Sequence, residues 1–163
     1  MSELPHDDRT HLDHALRIAR ETLAEGNKPF GAVLVAADGR VLATGRNAVA
    51  RTGDPTAHAE LDAVRDVGAA DRAAVVGATM YASGEPCPMC AAALVWSGVA
   101  RIVFGSAAPD IRAVVPGPPG FRLRCADVVA ASDAVVDVVG PALGEEGLAP
   151  FREPARASAD RTR

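Results

Sequence analysis

Hydrophobic and polar positions along the chain alternate between helical and extended periods. From Thr10 to Glu25 the apolar residues mostly recur at helical spacing, and Gly26 stands where a helix is expected to stop, which predicts an amphipathic helix. Residues 30–50 then contain two β-rich runs around Asp38-Gly39, a dipeptide typical of tight hairpins. A second helix is predicted from Thr56 to about Gly68.

The second half of the chain continues this alternation. Strands are predicted at 78–83, 100–106 and 134–139, and helices from just past Pro86 to Gly98, over 123–131 and over 141–148. The proline- and glycine-rich stretch at 114–120 is incompatible with regular structure. Strands that alternate with helices predict a layered α/β domain in which some strands pair in parallel.

Length and charge indicate one domain that acts on a small molecule. The 163 residues are predicted to form a single domain over 1–151, followed by a disordered tail over 152–163. The formal charge is −4, and because the tail contributes +2, residues 1–151 carry −6. An acidic body disfavours nucleic-acid binding, which usually relies on a basic face, and favours a small uncharged substrate.

The features that bear on location favour the cytoplasm. The longest apolar runs fall well short of the ~18 residues of a membrane span, so no membrane association is predicted. The N-terminal residues do not show the basic and then apolar pattern of an export signal. Three cysteines, two of them close together, indicate thiols kept reduced and not a disulfide framework.

Three residues form a candidate metal site. Cys87 and Cys90 stand at i and i+3 in "PCPMC", and His58 stands upstream in "DPTAHAE". This spacing predicts two sulfurs on one face at a helix N-terminus, where the dipole favours thiolates. Zinc binds imidazole and thiolate, and catalytic zinc sites use three protein ligands. The cysteines alone are also compatible with a redox pair or with structural zinc, for which Cys125 is a possible fourth ligand.

Glu60 is the candidate acid–base residue beside this site. It follows His58 by two positions, and on a regular helix such residues point about 200° apart. The two side chains can share a pocket only if the helix start has special geometry, which the preceding "GDPT" turn could supply. A carboxylate near a metal but not bound to it can take a proton from activated water and pass it on.

These residues carry a family resemblance. "HAE" at 58–60 with "PCPMC" at 86–90 resembles the H-x-E…P-C-x-x-C signature of the zinc-dependent cytidine deaminase superfamily. The likeness runs in order through "PFGAVLV", Asn47, "EPCPMCAAAL" and "RIVFG". It implies a three-layer α/β/α fold around a mixed five-stranded sheet, and hydrolytic removal of an exocyclic amine as ammonia. It assigns zinc to His58, Cys87 and Cys90, assigns proton transfer to Glu60, and implies a homodimer.

Within the superfamily, the pattern looks most like guanine deaminase and other nucleobase and nucleoside deaminases. Phe30 matches a phenylalanine that lines the base pocket in guanine deaminases, where tRNA deaminases usually have valine. Trp96 matches a guanine-deaminase tryptophan where the tRNA enzymes commonly have histidine, and Pro88 points the same way. Both aromatic residues could instead belong to the core. The second resemblance is to tRNA adenosine deaminases.

Four other residues are candidate substrate contacts. Asn47 either hydrogen-bonds a base edge or forms a turn. Ala59 lies between His58 and Glu60 and is therefore also a candidate substrate contact. Glu85 either offers its backbone carbonyl to the leaving amine or lies at the rim. Asp110 follows the strand "RIVFG", where guanine deaminases place an acidic substrate contact.

The C-terminal third departs from the family pattern. Guanine deaminases generally end in an aromatic residue that closes a neighbouring subunit's site, whereas the last aromatic residue here is Phe151. Guanine, cytosine, an aminated triazine or another aminopurine therefore stay open as substrates, as does the choice of Phe121 or Phe151 as a lid. A tRNA adenosine deaminase and a zinc-stabilised binding module are the alternative functions.

Overall fold

The computed structural model describes residues 4–115, 117 and 120–153. The strands are β1 Gly31–Val35, β2 Val41–Arg46, β3 Thr79–Gly84, β4 Arg101–Ser106 and β5 Asp137–Val139. The α-helices are α1 His6–Ala24, α2 Val49–Thr52, α3 Ala59–Asp66, α4 Pro88–Ser97, α5 Ala108–Val114, α6 Cys125–Ala130 and α7 Gly144–Arg152. A 3-10 helix covers Ala69–Val75.

The strands form one mixed sheet in the order β2-β1-β3-β4-β5. β1 pairs antiparallel with β2 across the predicted hairpin, and also antiparallel with β3. β3, β4 and β5 are parallel, as their helical connections require. The mixed five-stranded sheet that the resemblance implies is confirmed.

Helices cover both faces of this sheet. On one face, α1 packs Leu16 against Val33 of β1, and α7 lies beside α1. On the other face, α4 packs Leu94 in a cluster with Leu34 of β1, to which α3 and α6 also contribute. Because both faces are covered, all five residues of β1 are buried, which explains its unbroken apolar sequence. The structure is therefore the predicted three-layer α/β/α arrangement.

Several helical segments were not visible in the sequence pattern. α2, the 3-10 helix and α5 are short, and their sequences show no sustained apolar period. α1 also begins earlier than predicted, at His6, where acidic residues of its first turn complement the helix dipole. Of these differences, α5 matters most, because it borders the candidate site.

A buried ion pair joins α1 to the start of β4. The Asp8 carboxylate accepts hydrogen bonds from two guanidinium nitrogens of Arg101, at 2.5 and 2.7 Å, and from the Tyr81 hydroxyl at 2.8 Å. The bonds from Arg101 hold the pKa of Asp8 below its ordinary value, although burial opposes the shift. The pair lies at the amino end of β4, whereas the candidate metal ligands lie beyond the carboxyl end of the neighbouring parallel strand β3.

In the part of the chain that the structure describes, none of the helices combines the length and the apolar character needed to cross a membrane. The cytoplasmic location stays a prediction. In the predicted tail, Arg152 ends α7, and residues 154–163 lie outside the described residues.

Candidate active site

Two helix N-termini bring the three predicted metal ligands together. His58 is the N-cap residue of α3, Cys87 is the N-cap residue of α4, and Cys90 lies in the first turn of α4. The candidate ligand atoms of these residues all lie within 4.8 Å of one another. Cys125 is not part of this group, so the described residues supply three ligands and not the four of a closed structural site.

The distances between these atoms fit a tetrahedral zinc ion. The His58 Nδ1 atom lies 3.6 Å from the sulfur of Cys87 and 3.6 Å from that of Cys90. Zinc bonds of about 2.0–2.1 Å to nitrogen and 2.3 Å to sulfur, at tetrahedral angles, require a separation of about 3.5–3.6 Å. One imidazole and two cysteine sulfurs therefore stand where a single ion can contact all three.

Hydrogen bonding within this group favours a thiolate at Cys87. A hydrogen bond from the Cys90 thiol lowers the pKa of Cys87 to about 4, and the His58 imidazole contributes to the shift although burial opposes it. The same contact, with burial, raises the pKa of Cys90. The bond to Cys87 also raises the pKa of His58. The shift favours the thiolate at Cys87, which is the form of cysteine that binds metal.

The helix start supplies the geometry that lets His58 and Glu60 face one pocket. His58 has an extended backbone, with φ −89° and ψ 153°, so the 100° per residue of a helix does not apply between it and Glu60. The preceding turn is held by the Asp54 carboxylate, which accepts hydrogen bonds from the backbone N–H and the hydroxyl of Thr56. This is the special geometry predicted for the "GDPT" turn.

Glu60 is buried against the sheet beside the ligands. The residue is 5% exposed, and burial raises the pKa of its carboxyl. α3 reaches this position because Gly45 of β2 lacks a side chain. A Cβ atom there would collide with the backbone of Ala59 and Ala63. A carboxyl with a raised pKa, close to a metal site but outside its ligand set, is suited to gain and lose a proton.

A cavity of about 210 Å³ opens onto these groups. Its walls include six residues predicted from the sequence: Phe30, Asn47, His58, Glu60, Glu85 and Cys87. The other lining residues are Pro86, Pro88, Ala108, Ile111, Arg112, Gly120, Phe121 and Leu123. The volume of about 210 Å³ is below the 300–1,000 Å³ typical of sites for drug-sized ligands, so the cavity suits a small molecule.

The two candidate lid aromatics occupy different positions. Phe151 is buried, and its ring packs edge-on against Phe30 with the centroids 5.1 Å apart. Gly84 makes room for this contact, because a Cβ atom there would lie 3.0 Å from the Phe30 ring. Phe121 lines the cavity, is 71% exposed, and has its carbonyl bound by the guanidinium of Arg112. Phe151 thus supports the wall, and Phe121 lies at the mouth.

Glu85 lines the cavity, but its carboxylate is engaged by the protein. Both oxygens accept hydrogen bonds from the guanidinium of Arg124, at 2.6 to 2.9 Å. The backbone N–H groups of Ala108 and Cys125 donate two more, at 2.9 and 3.0 Å. Burial would raise the pKa of Glu85, but these bonds outweigh it and lower the pKa. The side chain is therefore a buried anion with four donors.

Three predicted substrate contacts do not lie in the cavity wall. Trp96 is 89% exposed, because six residues beyond Cys90 correspond to about 240° of rotation around α4. Asp110 is exposed on α5 and lines a different groove, with Arg152. Ala59 is buried in the core cluster between α3 and the sheet. Substrate contacts by these three residues stay predictions, since none of the three lines the cavity.

Sequence reasoning missed the wall formed by α5, and also Gly120 and Leu123 beside the candidate lid residue Phe121. Ala108, Ile111 and Arg112 lie on one side of a short helix that has no clear apolar period. Leu123 follows the proline-rich stretch that was assigned only as irregular. The available signal was two large apolar residues, Phe121 and Leu123, directly after a proline- and glycine-rich stretch.

Residues 5–106 match the protein-family model described as "Cytidine and deoxycytidylate deaminase zinc-binding region". A probable cytosine deaminase of Schizosaccharomyces pombe is 30% identical over 154 residues, which cover 93% of this chain and 94% of that protein. Guanine deaminase of Bacillus subtilis is 38% identical over 108 residues, covering 62% and 65%. A tRNA-specific adenosine deaminase of Agrobacterium fabrum is 39% identical over 112 residues, covering 68% and 73%.

A solved structure in complex with 2,6-diaminopurine shares the fold. It is 25% identical, has a TM-score of 0.73, and is matched over 93% of this chain and 82% of its own. The family match includes His58, Glu60, Cys87 and Cys90 within residues 5–106. Together with the tetrahedral spacing of three zinc-type ligands beside a buried carboxyl, these likenesses show that the chain belongs to the zinc-dependent cytidine and deoxycytidylate deaminase family.

Proposed function

We propose that the protein is a hydrolase that removes the exocyclic amine of a free nucleobase or a related heterocycle as ammonia. The observation that carries the proposal is the small cavity of about 210 Å³ in which Glu60 and two metal ligands face Phe30 and Asn47. Guanine, cytosine and aminotriazines carry an amine on a flat ring of suitable size. The matches to a probable cytosine deaminase and a guanine deaminase support this substrate class.

A zinc ion bound by His58, Cys87 and Cys90 would supply a Lewis acid that activates water near neutral pH. Glu60 would accept one proton from a water molecule as its oxygen adds to the amine-bearing ring carbon, and would deliver that proton to a ring nitrogen. Glu60 would then accept the remaining proton of the added hydroxyl and pass it to the departing amine, so that the carbon–nitrogen bond breaks, a carbonyl forms and ammonia leaves. Its burial next to the ligands, outside the metal contact group, suits this shuttle.

Asn47 and Phe30 are proposed to orient the ring. The Asn47 side-chain oxygen accepts a hydrogen bond from the backbone N–H of Val49 at 3.3 Å, which directs its NH₂ group away from that turn. The residue is 3% exposed and lines the cavity, so this NH₂ group can donate to a carbonyl or ring nitrogen of the substrate. Phe30 offers its ring as an apolar wall, with Phe151 behind it.

Deamination of adenosine in tRNA is the second candidate function. It is favoured by the 39% identity to the tRNA-specific adenosine deaminase, which is as high as the identity to the guanine deaminase. The acidic charge of residues 1–151 weighs against it, since an RNA loop is held largely through its phosphates.

An ammonia-release screen tests the proposal. The zinc-loaded protein is incubated with guanine, cytosine, adenine, isoguanine, their nucleosides and aminotriazines, with the Glu60→Gln variant as a blank. We expect ammonia from one or more free bases or triazines. Inosine formation in tRNA, with a salt-sensitive gel shift, would establish the second candidate instead. Ammonia from none of these substrates would favour a zinc-stabilised binding module.

Phe121→Ala is expected to raise KM for the identified substrate about tenfold with little change in kcat. Stacking of a base on an aromatic ring contributes about 1–3 kcal/mol, and the exposed side chain contributes little to stability. Steady-state kinetics and thermal denaturation separate the two quantities. Val135→Ala, at an exposed site that is not part of the cavity wall, is the matched control. An unchanged KM for Phe121→Ala would remove Phe121 from the substrate site.

The homodimer stays a prediction from the resemblance. Light scattering of the purified protein tests it, and a monomer at assay concentration would reject it.

A further inference from the structure

The Glu85–Arg124 pair connects the loop that carries Cys87 to a distant part of the chain. Glu85 directly follows β3, and only Pro86 separates it from Cys87. Its side chain is 2% exposed, and its carboxylate receives all four hydrogen bonds from residues beyond β4. A buried carboxylate needs such partners, so the loop is held where they are.

These donors come from the two helices that border the site. The Ala108 N–H is at the start of α5, and the Cys125 N–H is at the start of α6. Arg124 is the N-cap residue of α6, and its guanidinium reaches Glu85 through both Nε and Nη2. Arginine can hold a carboxylate through two nitrogens at once, which fixes direction as well as distance.

We propose that Arg124 is a positioning residue for the zinc centre, acting through Glu85 to hold Cys87 at the distance that His58 and Cys90 require. The proposal concerns the metal ligands and does not depend on which base is deaminated. Mutation of residues that orient the metal ligands typically lowers metal affinity or activity by 10–100-fold. Arg124 acts through the backbone of the loop, so the lower end of that range is expected.

A second buried pair of similar build provides the control. Asp8 is 4% exposed at its side chain and receives two guanidinium nitrogens of Arg101, as Glu85 does from Arg124. Arg101 begins β4, at the end of the sheet opposite the metal ligands, roughly 17–20 Å away along the strand. A substitution that only lowers the stability of the fold should therefore have the same effect on zinc release in either pair.

Arg124→Lys and Arg101→Lys are compared as zinc-loaded, folded proteins. Lysine keeps the charge but cannot make the two-nitrogen contact. The readouts are the rate of zinc release to a chromogenic chelator and the melting temperature. We expect Arg124→Lys to release zinc about tenfold faster than the unchanged protein, and Arg101→Lys to release it at the unchanged rate, although both lower the melting temperature.

Equal zinc-release rates in the two variants would overturn the proposal. Arg124 would then contribute to the stability of the fold but not to the position of the zinc ligands. If Arg124→Lys does not fold, Glu85→Gln in the same assay decides, with Asp8→Asn as its control. Faster release from Glu85→Gln only would support the proposal, and equal release would reject it. Because the readout is metal release, a failed ammonia screen has no bearing on it.

Discussion

Replacing Cys87 with alanine is expected to abolish both zinc binding and deamination. Of the three groups within 4.8 Å of one another, only the His58 imidazole and the Cys90 sulfur would then remain. Two ligands are fewer than the three that catalytic zinc sites use. Without the metal, the cavity keeps the proposed acid–base residue Glu60 but loses the Lewis acid that would activate water. Elemental analysis of the purified variant measures the metal, and the ammonia assay measures the activity.

Cys125→Ala is the matched control for this experiment. Cys125 is fully buried but lies outside the ligand group, and it belongs to the core cluster shared by α4 and α6. Its replacement is expected to lower stability through lost packing and to leave one zinc ion per chain. If Cys87→Ala kept one zinc ion per chain and its activity, the assignment of the metal centre would be wrong.

Replacing Glu60 with glutamine is expected to lower kcat by a factor of ~10²–10⁴ while zinc stays bound. Glutamine has nearly the same shape, so the cavity keeps its form, but its amide cannot accept and return a proton. Glu60 is outside the ligand group, so the metal content should not change. Steady-state kinetics and elemental analysis on the same preparation give both quantities.

Asp62→Asn separates proton transfer from a general effect of charge. It removes a negative charge from the same helix, two residues further on, where the carboxylate accepts a hydrogen bond from the backbone N–H of Arg46. This variant is expected to keep kcat within about twofold, because the half-buried Asp62 does not line the cavity. Near-normal turnover of zinc-loaded Glu60→Gln would refute the mechanism.

Much of the fold followed from local patterns. The Asp38-Gly39 hairpin, the buried strands 78–83 and 100–106, and the helix after Pro86 all appear close to their predicted bounds. Each of these has a signal within a few residues: a turn dipeptide, an apolar run bounded by breakers, or a proline at a helix start. α5 was not predicted, although Pro109 stands in its first turn, because its seven residues are too few to show an apolar period.

The residues of the metal centre were predictable because their chemistry is local. The i, i+3 spacing of Cys87 and Cys90 and the position of His58 at a helix start restrict their geometry before any tertiary contact is considered. The outward direction of Trp96, in contrast, could not be predicted from the sequence: its side chain is 89% exposed and does not line the cavity. Its direction depends on how α4 is rotated against the sheet.

The sequence by itself predicted the ligand set, the proposed acid–base carboxyl and the layered fold, because spacing, helix ends and apolar period are properties of neighbouring residues. Only the tertiary structure decided which residues wall the cavity and what holds the loop before Cys87. Glu85 and Arg124 are 39 positions apart, and Phe30 and Phe151 lie at opposite ends of the chain. No local pattern encodes such contacts, because they arise only when the sheet order and the covering helices bring distant segments together.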